Sequence, residues 1–139
     1  MIKRQNNSKV KFIEFTPYDK PEYENRIMNY IIARGENLKR QIKILRIKSE
    51  PQKDFLFLKN RLYTIKESYK SITIQKLNTI IKGLTSKYGN SNVQKDNKMA
   101  IYSFSNNKTK VIVYSYLKTN KCDIYFYDCK LFHILFSEI

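Results

Sequence analysis

Residues 122–133 hold Cys122, Asp123, Asp128, Cys129 and His133, the residue types that acid–base, nucleophilic and metal chemistry use. Their spacing argues against all three. Asp123 and Asp128 lie five positions apart on an expected strand, so they point to opposite faces and cannot share a proton. Cys122 and Cys129 would stand roughly 23 Å apart at about 3.3 Å per residue, too far for a disulfide. Two cysteines and one histidine without closer spacing do not make a zinc site. His133, the only histidine, alternates with Phe132 and Ile134 in KLFHILF and shares a face with Leu131 and Leu135, which reads as packing. Ser68, Ser71, Ser103 and Ser115 lack the strand–turn–helix context of a nucleophile elbow. Cys129 has only Lys130 beside it to favour a thiolate. The reading is of a chain that is not an enzyme, with no catalytic residue, cofactor or metal.

The tyrosines form a more coherent set. Tyr114 and Tyr116 share one strand face, as do Tyr125 and Tyr127, with Lys108, Lys110, Lys118, Lys121 and Lys130 around them. A tyrosine face can supply contact area to a protein partner at low entropic cost. It can also stack single-stranded bases, or simply stiffen a sheet by cross-strand packing. No RNP-like run of glycine and aromatics accompanies it. Tyr114, Tyr116, Tyr125 and Tyr127 are therefore the candidate partner-binding residues, the contacts falling to whichever of them are exposed.

The elements that would position them are legible in outline. VKFIEF (10–15) reads as a short strand. TPYDKPEYENRIMNYIIARG places Tyr23, Ile27, Tyr30 and Ile31 on one stripe before Gly35, a helix over 20–34. Residues 38–49 read as a strand, or as a continuation of that helix across Gly35. DFLFLKNRLYTI (54–65) returns as DIYFYDCKLFHI (123–134), each with two β-rich runs around a turn-forming pair, Lys59-Asn60 and Asp128-Cys129. Both phrases therefore read as β-hairpins. Asp54 and Asp123 would enter their strands bonded to backbone amides, and Phe57 and Phe126 would both be buried, each under one helix. Between the phrases, Ile74, Leu77, Ile80, Ile81, Leu84 and Tyr88 form a helical stripe over 73–89, capped by Thr73 and closed by Gly89. Gly83 inside it implies a close neighbour. Residues 90–98 read as a polar loop, and 99–105, 109–117, 122–127 and 130–137 as the strands of a meander. The expected fold class is α+β: an antiparallel sheet, a hairpin plus a four-stranded meander, covered by two helices. Residues 1–9 would be a flexible lead-in to a single domain over 10–139.

Charge adds a qualified hint. Lys and Arg number 27 against 12 acids, a formal charge of +15. Such a balance points to nucleic acid or an anionic surface, but Lys exceeds Arg more than threefold amid abundant Asn, Ile and Tyr. All of these have AT-rich codons, so codon drift is the favoured explanation of the charge over a functional basic surface. No segment approaches the ~20 apolar residues that span a bilayer, and the basic start has no apolar h-region.

FLFLKNRLYTI, the helix ending in LTSKYG, and IYSF…VIVYSYL…CDIYFYDCKLFHI together resemble, over 54–137, the small α+β domains of bacterial envelope proteins and lipoproteins. The whole chain is similar to the C-terminal domain of a family of envelope-associated proteins of the Lyme disease spirochaetes, whose N-terminal half is of tetratricopeptide type. That resemblance implies a non-catalytic interaction domain in the cell envelope, periplasmic or membrane-associated. It implies a complex with a LysM-containing envelope protein that serves infection, and membrane association through the partner or through other segments. It carries no functional residue over. Two alternatives stand beside it: single-stranded nucleic-acid binding on the tyrosine face, and a small-ligand pocket in a cone similar to nuclear-transport-factor-2-like domains.

Overall fold

The computed structural model describes residues 10–13, 42–58 and 60–130. In chain order the elements are β1 (Val10–Ile13), β2 (Ile42–Ile47), β3 (Gln52–Leu58), β4 (Arg61–Tyr69), α1 (Ile74–Tyr88), β5 (Asn92–Lys95), β6 (Met99–Ser105), β7 (Thr109–Tyr116) and β8 (Lys121–Asp128). All eight strands join one antiparallel sheet in the order β1-β2-β3-β4-β8-β7-β6-β5. This corrects the expected architecture. There is one continuous sheet rather than a hairpin beside a meander, and a single helix, α1, among the described residues. The helix expected over 20–34 lies outside them. No described helix is long and apolar enough to cross a membrane.

α1 forms where the stripe places it. Thr73 Oγ1 accepts the Lys76 N–H at 3.1 Å, supplying a partner to one of the orphan donors of the first turn. Gly89, at φ +91°, ends the helix and returns its N–H to the Thr85 carbonyl. Leu77, Ile80, Ile81, Leu84 and Tyr88 then pack on a core made by Phe104 of β6, Val111 and Val113 of β7, and Cys122 and Ile124 of β8. Ile74, in the first turn, departs from the stripe and is 76% exposed. Gly83 departs as well: a Cβ there would meet nothing within 4 Å, so no close approach explains it.

The repeated phrase splits. Its first copy is a hairpin: β3 pairs with β4, and Asn60 sits in the exposed turn at φ 65°, Lys59 falling outside the described residues. Its second copy is not. β8 pairs with β4 on one side and β7 on the other, so neither edge is open to a return strand. Cys129 and Lys130 begin a helical turn, and the Cys129 N–H donates to the Lys108 carbonyl. The strand expected over 130–137 otherwise lies outside the described residues, as does His133. Phe57 and Phe126 share the α1 face of the sheet as the repeat requires, yet both are half-buried rather than buried. Only Phe126 packs against the core beneath α1.

Part of the far face, opposite α1, is also buried. Ile44, Leu56, Thr64, Ile112, Tyr125 and Tyr127 all lie on it. Leu56, Thr64 and Tyr127 form one row across β3, β4 and β8. The expected polar loop contains β5, whose four residues are all exposed and which exists through its pairing with β6.

Candidate functional site

Alternation along β7 and β8 places Tyr114, Tyr116, Tyr125 and Tyr127 together on the far face. Their environments differ sharply. Tyr125 is 0% exposed and Tyr127 2%. Tyr114 and Tyr116 are half-buried. The Tyr125 and Tyr127 rings stack at 5.9 Å with 6° between planes, and Tyr114 meets Tyr125 edge-on at 5.7 Å. Both are favoured aromatic geometries. Lys66 of β4 lies with its ammonium 5.2 Å from the Tyr125 ring centre, a cation–π contact.

Tyr116 is held differently. Its hydroxyl donates to Asp123 Oδ2 at 3.3 Å. Burial first, then the adjacent Asp123 charge and this hydrogen bond, push the phenol well above its ordinary value. Burial alone does the same for Tyr127. Both tyrosines stay neutral donors across the physiological range, and neither is poised for general-base work.

The remaining candidate residues do not converge. Asp123 and Asp128 stand on opposite faces of β8. Asp54 does not bond backbone amides in the way a strand-entry aspartate would. It pairs with Arg46 of β2 through two 2.9 Å hydrogen bonds. Ser115 faces the α1 core and is buried, Ser68 and Ser103 are half-buried on the far face, and Ser71 is exposed in the β4–α1 connection. Cys122 is buried, and burial, with help from Asp123 and Glu67, pushes its thiol up to about 12. Such a thiol is inert. Among the described residues no cluster of His, Cys, Asp and Glu could hold a metal.

An open cleft of about 320 Å³ lies where β4 and β8 part beyond the Thr64–Tyr127 pair. Leu62, Ile65 and Phe126 give it apolar walls, with Lys108 and Asp128 at its polar side. Thr64, Thr109 and Tyr127 bring hydroxyl groups to the lining, and Thr64 Oγ1 is shielded from solvent with no hydrogen-bond partner among the described residues. The shared tyrosine face was readable from strand alternation. What alternation could not supply is the burial that withdraws two of the four rings.

No known protein family matches the chain, and no curated protein or solved structure is significantly similar to it.

Proposed function

We propose that the chain is a non-catalytic protein-interaction domain whose contact strip is Tyr114 and Tyr116 of β7, beside Met99 and Ile101 of β6. These four side chains are half-exposed on the far face and neighbours in register: Met99 opposite Tyr116, Ile101 opposite Tyr114. The observation that carries the reading is the pre-organisation of the two tyrosines. Tyr125 backs the Tyr114 ring, and Asp123 fixes the Tyr116 hydroxyl. Rings already held in place lose little entropy on binding, which is how tyrosine becomes an anchor at interfaces. Burial of Tyr125 and Tyr127 leaves two rings rather than four for base stacking, which favours a protein over single-stranded nucleic acid.

The wider setting rests on the sequence resemblance alone. In it, the domain belongs to a spirochaetal envelope protein and supports a complex with a LysM-containing partner used in infection. The test is capture from a detergent extract of envelopes with the wild-type chain, followed by titration of the captured partner. Tyr114→Ala should weaken binding about tenfold or more, and Tyr116→Phe, which keeps the ring but loses the Asp123 bond, by less. Equal binding by wild type and both variants would remove the strip from the interface.

A further inference from the structure

The strands deliver a second surface, at the end of the sheet where β4 passes into α1. Three connections meet there. The Ile72 N–H donates to the Asn120 carbonyl at 2.8 Å, tying the β4–α1 connection to the β7–β8 turn. The Leu117 N–H donates to the Lys98 carbonyl at 2.9 Å, tying the end of β7 to the β5–β6 turn. These bonds gather Lys70, Lys76, Lys98, Lys118 and Lys121, all exposed, at one end of the molecule. Two carboxylates accompany them, and both hold backbone: Glu50 accepts the Lys70 N–H, and Asp96 accepts those of Lys98 and Met99. Two of the four large apolar side chains exposed among the described residues stand at the same end, Ile74 at 76% and Leu117 at 40%.

Each feature alone is ordinary, since single exposed aliphatics and solvated lysines are common. Their coincidence selects among partners. Protein interfaces are depleted in lysine and rich in aromatics and arginine, the reverse of this surface. Single-stranded nucleic acid needs freely exposed rings to stack on, and the two rings at this end, Tyr69 and Tyr116, are half-buried, the second with its hydroxyl tied to Asp123. Flexible ammonium groups around aliphatic tips are what an anionic bilayer surface accepts. The lysines meet headgroup phosphates while Ile74 and Leu117 enter the acyl boundary. We propose that this end of the sheet is a contact surface for an anionic lipid membrane, bordering the tyrosine strip at Tyr116 and Met99.

Flotation of the full chain with phosphatidylcholine vesicles, and with vesicles that also contain phosphatidylglycerol, tests it. The chain should float only with the anionic vesicles at low salt and be released as salt rises. Lys70→Gln and Lys118→Gln should each reduce partition about fivefold. Ile74→Ser should reduce it while leaving the salt dependence unchanged, and its exposure makes an effect on folding small. Lys82→Gln with Lys108→Gln, away from this end, should leave partition nearly unaltered. Failure to float, equal loss in that distant pair, insensitivity to Ile74→Ser, or tighter binding to a single-stranded oligonucleotide than to the vesicles would each overturn the proposal.

Discussion

Arg46 and Asp54 face each other across β2 and β3 as a two-pronged ion pair, Nε to Oδ1 and Nη2 to Oδ2, each at 2.9 Å. Asp54 is 3% exposed on the far face, where Ile44, Leu56 and Thr64 are buried near it and the half-buried Lys66 stands opposite it on β4. The hydrogen bond to Asp54 is the main cause that holds the guanidinium above its ordinary value, against the opposing effect of burial. Fork-on-fork geometry is the strongest form of such a pair. Removing one partner strands a buried charge, which costs more than the intact pair contributes. Arg46→Met should therefore destabilise the domain by about 3 kcal/mol in urea denaturation. Adding Asp54→Leu should recover most of that loss, because the carboxylate left unpaired is gone. A double variant as unstable as the single would mean that side-chain shape, rather than charge, matters at this site.

Alkaline pH should weaken the fold. Cys122, Tyr116 and Tyr127 all hold their protons more firmly folded than unfolded, chiefly through burial. The folded chain then binds more protons than the unfolded one once pH exceeds the ordinary thiol value of 9.0. Stability from Cys122 is complete below that pH and is lost as pH rises towards about 12, with the two tyrosines extending the loss upwards. The urea midpoint should fall steadily above pH 9, and Cys122→Ala should flatten the first part of that fall. At neutral pH a thiol reagent should label Cys129, which is half-buried, and reach Cys122 only on unfolding.

The repeated phrase shows how far local sequence reaches. In both copies the aspartate falls on the far face and the central phenylalanine on the α1 face, as a period of two requires. β3 and β8 even occupy equivalent places, one on each side of β4. The second hairpin fails for a non-local reason. β4 is paired by β3 on one edge and reaches β8 on the other, which fills the edge a return strand would need. Asp128-Cys129 has turn-forming chemistry but no partner edge to turn towards. β5 fails in the opposite direction, because Asn92–Lys95 has no buried residue and nothing in its pattern marks a strand. The tyrosine strip was half legible for the same reason: alternation assigns a face, but only the assembled sheet assigns burial.

Gly83 should be replaceable. It lies inside α1, exposed, with open space where a Cβ would stand. Glycine in a helix interior costs about 1 kcal/mol relative to alanine, part of it through the freedom of the unfolded chain. Gly83→Ala should raise stability by about that amount and leave the far face untouched. A destabilised variant would show that the helix packs against something at this position.

Asn120 closes the β7–β8 turn at φ 57°, and its carbonyl accepts the Ile72 N–H that anchors the entry to α1. A left-handed residue without glycine's freedom is uncommon, and asparagine tolerates it better than branched residues do. Asn120→Gly should therefore fold normally and lose little. Asn120→Val should cost about 1–2 kcal/mol, because a branched Cβ resists this backbone conformation and any relaxation withdraws the carbonyl from Ile72. Hydrogen exchange separates the two contributions. In Asn120→Val the Ile72 amide should exchange faster than global unfolding allows, while the Leu84 amide in the middle of α1 should follow the global stability. If Ile72 stays as protected as Leu84, the turn has accommodated valine without releasing the helix, and the strain at Asn120 is not coupled to α1.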